Sequence, residues 1–217
     1  MNVIKFIATM DTRAAYNIWS QQYDTNHNKT RDLEAKALQA TLSSIKFDSC
    51  LEIGCGTGKN TVWLMTKAKQ ITAVDLSEAM LAKAKAKISS PAVNFIQADI
   101  TGNWNFAEQQ YDLVTFSLVL EHIQNIDHIF SEVSKSLTKG GHVYVGELHP
   151  FKQYAGTKAR FETEEGLHIV DCYNHNISEF TQAAKKYGLA IIEVNEYFDD
   201  NDISTIPRIL TLLLKKP

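Results

Sequence analysis

Short apolar runs alternate with amphipathic stretches along most of this 217-residue chain. Ala14, Ala15, Ile18 and Trp19, and then Leu33, Ala37, Leu38 and Leu42, recur at helical spacing. They predict two helices within residues 11–43, separated by a polar stretch at 21–28. Thr30 is the expected cap of the second helix. From residue 49 the rhythm changes. Apolar runs at 50–53, 70–74, 92–96, 111–116 and 142–146 predict five strands. Helical patterns between them cover 60–67, 77–88 with Ser77 as N-cap, and 126–137, the last expected to exit at Lys139-Gly140-Gly141. Strands alternating with helices in this way form a mostly parallel sheet with helices on both faces.

After Pro150 the alternation lapses. Residues 151–176 are longer than the roughly 2–6 residues of an ordinary strand–helix link. Within them, 161–164 and 167–170 flank Glu165-Gly166, a hairpin signal that predicts a flap over the carboxyl ends of the strands. A helix at 178–187 closed by Gly188 and strands at 190–194 and 208–214 complete the pattern. The last strand is apolar nearly throughout and is expected inside the sheet.

The candidate chemistry sits where the first strand meets a helix, at Gly54-Cys55-Gly56-Thr57-Gly58. Glycines there let a ligand approach the backbone closely, and the new helix presents free N–H groups. A glycine-rich turn that binds nothing is the alternative. A dinucleotide cradle needs Gly-x-Gly-x-x-Gly. Here the third glycine comes one residue early and position 59 is lysine, which counts against a nicotinamide-dependent oxidoreductase. Asp75, Asp99, Ser117 and Glu147 also fall at strand carboxyl ends, where sheets of this kind bind ligands.

Five segments in register then resemble the motifs of class I S-adenosylmethionine-dependent methyltransferases. They are Leu51 to Gly58, Val74 to Leu81, Gln97 to Ile100, Tyr111 to Ile123, and Leu137 to Gly141. The resemblance implies an α/β, Rossmann-like seven-stranded sheet of order 3-2-1-4-5-7-6, mostly parallel with an antiparallel C-terminal strand. It implies a single domain over 1–217: a helical lid at 1–44, a cofactor-binding core at 45–150, a substrate flap at 151–176, and a C-terminal helix and strands at 177–217. By position, Glu52 and the turn Gly54, Cys55, Gly56 and Gly58 would lie beside the methionine part of S-adenosyl-L-methionine. Asp75 would hold the ribose, Leu76 and Met80 would lie near the adenine, and Asp99 and Ile100 would contact the ring. Phe116, Ser117 and His122 would face the sulfonium side. Tyr16, Trp19 and Tyr23 are either packing residues or an aromatic lid, and the resemblance favours Tyr16 and Tyr23 as cofactor contacts.

The expected reaction is methyl transfer to a small-molecule acceptor by in-line displacement, dominated by proximity and orientation. A binding scaffold without turnover is the non-enzyme alternative. His149, just past the fifth strand, is the candidate general base, and a histidine bonding a loop carbonyl is the competing reading. His122, Glu147, Tyr154 and Arg160 are candidate substrate contacts. His149, His168 and His175 match no metal-ligand spacing, so no metal is expected. A formal net charge of −3 with no basic stripe argues against a nucleic-acid partner. No apolar run reaches about 18 residues, so no membrane span is expected. Residues 1–8 lack the layout of a secretory signal, and three unevenly spaced cysteines give no disulfide framework, so a cytoplasmic location is expected.

Overall fold

The computed structural model describes residues 6–217, so the reading of residues 1–5 as part of a non-signal segment lies outside the described residues. A seven-stranded sheet runs in the spatial order β4-β3-β2-β5-β6-β10-β9. Its members are β2 (Ser49–Ile53), β3 (Gln70–Asp75), β4 (Val93–Gln97), β5 (Tyr111–Ser117), β6 (Leu137–Leu148), β9 (Ala190–Tyr197) and β10 (Ile209–Lys215). Numbered within this sheet alone, the order is the expected 3-2-1-4-5-7-6. β10 is antiparallel to both β6 and β9, and the pairs from β4 to β6 are parallel.

The pleat explains the core. Leu51 and Ile53 of β2, Val114 and Phe116 of β5, and Leu210, Leu212 and Leu214 of β10 point to one face. They pack there against α5 (Ile126–Ser136) and α7 (Ile177–Lys186). Cys50, Ala73, Leu113 and Leu213 point to the other, against α2 (Lys29–Leu42) and α3 (Lys59–Leu64). β10 is buried over six of its seven residues, which its unbroken apolar sequence requires, whereas the edge strand β9 is largely exposed. Each fully buried leucine contributes about 1.5–3 kcal/mol of transfer free energy, so the sheet frame is set by these runs.

Three local expectations are corrected. Asn28, not Thr30, caps α2: its Oδ1 accepts from Arg31 N at 3.1 Å. The helix α3 ends at Leu64, and the chain beyond tightens to i→i+3 bonds from Thr66 and Lys67. Lys139-Gly140-Gly141 is not a helix exit. β6 already begins at Leu137, paired with Tyr111, and Gly140 (φ 81) is a kink whose N–H donates to Lys216 O. Ser77 caps α4 (Glu78–Lys87) as expected, accepting from Met80 N.

A second, three-stranded sheet lies over the carboxyl ends. The flap hairpin β7 (Arg160–Thr163) and β8 (Gly166–Val170) forms as expected. β1 (Phe6–Met10), which leads into α1 (Thr12–Trp19), adds to it parallel to β8. Ala15 and Trp19 of α1, Met80, Phe161 and Val170 make a small separate core, with Trp19 stacked on Phe161 at 5.0 Å. The short α6 (Pro150–Tyr154) precedes the hairpin.

Candidate active site

The site is built from strand ends. β2 stops at Gly54, whose φ of 72° and tight packing exclude a side chain: an added Cβ would overlap Val119 Cγ2. Gly58 (φ 82°) begins α3, and a Cβ there would sit 2.8 Å from Ile88 Cδ1. Asp75 ends β3 and holds the turn in shape. Its Oδ2 accepts from Gly56 N and its Oδ1 from Ser77 N, each at 2.8 Å. Burial raises its pKa against the pull of those N–H donors.

A cavity of about 260 Å³ opens here. Its floor includes Gly54, Gly56, Asp75, Asp99, Ile100 and Ser117, and its roof is Thr12, Tyr16 and Tyr23 from the N-terminal segment. Leu76 and His122 also line it. The His122 ring is fixed: Nδ1 lies 2.8 Å from Asp171 O, which can only accept, so Nδ1 carries the hydrogen and Nε2 accepts from Tyr16 OH at 2.9 Å.

A smaller recess of about 50 Å³ adjoins it, lined by Glu34, Glu52, Cys55, Asn60 and Arg31 among others. Glu34 accepts from Tyr144 OH and Asn60 Nδ2, each at 3.1 Å, and Asn60 also donates to Ser117 Oγ. Glu52 accepts from Thr61 Oγ1 at 2.6 Å. Burial pushes Glu34 up to about 7 and Glu52 up to about 8. Glu34 and Arg31 escaped the sequence reading. The available signal for Glu34 was an acid in register with Leu38 and Leu42 on the buried stripe of α2.

A third cavity, about 350 Å³, lies between the N-terminal helices and the flap. It shares Tyr16, Tyr23 and Leu118 with the first. Leu118 holds a left-handed backbone (φ 58), unusual for a branched residue. That turn directs the following amides onto Glu147, whose Oε1 accepts from Val119 N (3.0 Å) and Leu120 N (2.8 Å). Glu121 lines this cavity and is 6% exposed, with burial raising its pKa.

Several expected contacts lie elsewhere. His149 lines none of these cavities. It is wholly buried, its Nδ1 accepts from Phe151 N to cap α6, and its Nε2 bonds Glu196 Oε1 at 2.8 Å. With both ring nitrogens engaged and burial lowering its pKa, it has no free lone pair to offer a substrate. Phe116 and Met80 are packed in cores, and Gly58 shapes the turn without lining a cavity. Glu147 is a buried backbone acceptor, and Tyr154 is exposed and bonds Asn176. Arg160 does line the third cavity. His168 bonds Thr163, and His175 bonds Glu179 and Ile123 O, so the three histidines do not converge.

The donor set fits a nucleoside bearing a methionine arm. Asp75, an acceptor with two backbone donors, faces a cavity where ribose hydroxyls would supply more. Arg31 Nε is a buried donor without a partner among the described residues, in the recess where a carboxylate would end. Comparison with known proteins agrees. The profile of a methyltransferase domain family matches residues 51–145. Over that segment the chain is similar to methyltransferase domains. A malonyl-[acyl-carrier protein] O-methyltransferase of Enterobacter lignolyticus is 32% identical over 53% of this chain and 45% of its own length. A ubiquinone biosynthesis O-methyltransferase of Hydrogenovibrio crunogenus is 27% identical over 68% of this chain and 61% of its own. The chain thus spans about half the length of these curated relatives. Among solved structures, a Listeria monocytogenes chain assigned to the S-adenosylmethionine-dependent methyltransferases is 26% identical, with a TM-score of 0.71 over 86% of this chain and 99% of its own. The solved DhpI-SAM-HEP complex has a TM-score of 0.74 at 21% identity, covering 94% and 95% of the two chains.

Methyltransferase domains of this family use S-adenosylmethionine. No helix among the described residues is long and apolar enough to cross a membrane.

Proposed function

We propose that the protein transfers a methyl group from S-adenosylmethionine to a small-molecule acceptor entering through the third cavity. The carrying observation is that this cavity meets the cofactor-side cavity at Tyr16, Tyr23 and Leu118. In this reading residues 1–217 act as one domain, with 1–44 as lid, 45–150 as core, 151–176 as flap and 177–217 as closing elements.

When bound, S-adenosylmethionine supplies a methyl group already activated on a sulfonium sulfur. The chain's work is placement and exclusion of water. Asp75 accepts from the ribose hydroxyls, while Leu76, Asp99 and Ile100 bound the adenine side of the cavity. Gly54, Gly56 and Cys55 admit the methionine arm against bare backbone. Glu34 and Glu52 face its ammonium and Arg31 Nε its carboxylate. Ser117 lies at the end of β5 beside them. Tyr16 and Tyr23 roof the cofactor, and the Tyr16–His122 bond fixes where the roof sits.

Glu121, in place of His149, is the group that receives a proton from a hydroxyl acceptor. It is buried against the acceptor cavity, and its Oε2 has no partner among the described residues. Two of the relatives are named O-methyltransferases, so hydroxyl and carboxyl acceptors are tested first. Calorimetric titration with S-adenosylhomocysteine, then turnover of methyl-labelled cofactor against a panel of small hydroxy and carboxylic acids, checks the proposal. Binding plus turnover of at least one acceptor is expected, with Glu121→Gln lowering kcat for hydroxyl acceptors and sparing cofactor affinity. Cofactor binding without turnover of any acceptor would identify a scaffold, and preferential binding of NADH would overturn the cofactor assignment.

A further inference from the structure

The acceptor cavity has a chemical character of its own. About one residue in ten of the chain is lysine or arginine (22 of 217) and the formal net charge is −3. Yet Lys29, Arg31, Lys158, Arg160 and Arg208 all line this one cavity, against a single acid, Glu121. Two of the five cations are already engaged. Arg208 is held by Asp199 through Nε and Nη2, both at 2.5 Å, and Arg31 donates to Tyr23 O and Asn26 O. Lys29, Lys158 and Arg160 make no side-chain hydrogen bond or ion pair with the described residues. Exposed lysines and arginines are usually just solvated, so the charge pattern alone decides little.

The buried atoms decide it. Five buried side-chain polar atoms lack a partner among the described residues. Two belong to residues of this cavity, Trp19 Nε1 and Glu121 Oε2, while Arg31 Nε is the donor already given to the adjoining recess. Leaving such a group unpaired is costly, so their clustering marks a place completed by a polar ligand. Trp19 is 5% exposed and its indole N–H can only donate. The first turn of α2 opens on the same space through Lys29 and Thr30, and its dipole favours negative charge.

We propose that the acceptor carries an anionic group, a carboxylate or a phosphoryl group, bound by Lys158, Arg160 and Lys29 with the Trp19 indole N–H, while its nucleophilic end turns to Glu121. This rests on the reading of the third cavity as the acceptor entrance and adds the substrate class. Trp19 donates to an anionic oxygen, and Glu121 takes the hydroxyl at the other end. Charge attraction at the rim serves capture, and the two buried contacts set orientation.

The test uses the full chain saturated with S-adenosylhomocysteine. Inorganic phosphate, acetate, phenylphosphonate and benzoate are titrated calorimetrically beside the neutral benzamide and benzyl alcohol. At least one anion is expected to bind tenfold or more tighter than the neutral probes, and the carboxylate-to-phosphoryl ratio identifies which group the rim selects. The double variant Lys158→Ala/Arg160→Ala is expected to lose about tenfold of that affinity with S-adenosylhomocysteine binding unchanged. Lys158→Arg/Arg160→Lys is expected to restore it. Neutral probes binding as tightly as anions, no anion binding at all, or an unaffected double variant would each overturn the assignment. Turnover of matched hydroxybenzoate and hydroxybenzamide separates the two proposals. Anion binding with no turnover of either refutes methyl transfer to these acceptors but leaves the anion site standing. Preferred turnover of the amide removes the anion site and keeps the transferase.

Discussion

Glu52 links the cofactor site to the stability of the fold, and Glu52→Gln exposes that link. The side chain is 4% exposed and has one hydrogen-bond donor, Thr61 Oγ1. Burial lifts its pKa from an ordinary 4.5 to about 8. In the unfolded chain the carboxyl ionises near 4.5, so between these values the folded protein binds a proton that the unfolded chain has released. The folded state is then the more protonated one, and stability falls as pH rises across that window. Each pH unit inside the window changes stability by up to about 1.36 kcal/mol. From pH 5 to 7.5 the contribution reaches about 3.4 kcal/mol as a ceiling. Glutamine keeps the shape and still accepts from Thr61 but does not ionise. For a chain of this size 1 kcal/mol moves Tm by about 2–4 °C. Thermal scans of both proteins without cofactor should therefore show the variant gaining up to roughly 7–14 °C on wild type between pH 5 and 7.5. Groups remote from Glu52 cancel in the difference, whereas Glu34 and Asp75, whose charges help to raise its pKa, bring the observed gain below that ceiling. Parallel Tm curves across that range would refute the claim that Glu52 is held as a neutral acid.

Asp75→Ala removes the carboxylate that braces Gly56 and Ser77 and faces the cavity; cofactor affinity should fall at least tenfold by calorimetry, and an unchanged Kd would remove Asp75 from the ribose. His149→Ala should leave cofactor Kd and turnover intact while costing about 1–2 kcal/mol through the lost cap of α6, measured by chemical denaturation; a selective collapse of kcat would restore the histidine as a base.

The sheet was legible because its strands are short apolar runs punctuated by turns, and a seven-strand order follows from the motif resemblance. The cofactor side was legible for a related reason: Gly54, Gly56, Asp75, Asp99 and Ser117 occupy strand ends, and strand ends converge on one edge. Residues whose role depends on a distant partner were not legible. Asn28 outcompetes Thr30 because of where the backbone turns, one residue before α2. Met80 and Phe116 lie in the right motifs but face inward. His149 follows the expected strand, yet the chain continues into α6 and takes the ring with it. Arg31 and Glu121 gain meaning only from the cavities on either side of Leu118, which no local spacing encodes.

The parallel pairing of β1 with β8 has a mechanical outcome. Met10 faces Val170 across that ladder, and Met10 O accepts from Asp171 N. One residue on, Asp11 caps the helix that carries Tyr16. The roof over Asp75 and the wall bearing Arg160 therefore hang from one hydrogen-bonded ribbon. If cofactor and acceptor bind as proposed, the two would then share a single gate, and an acceptor seated in its pocket would obstruct the exit of spent cofactor until the methylated product has left.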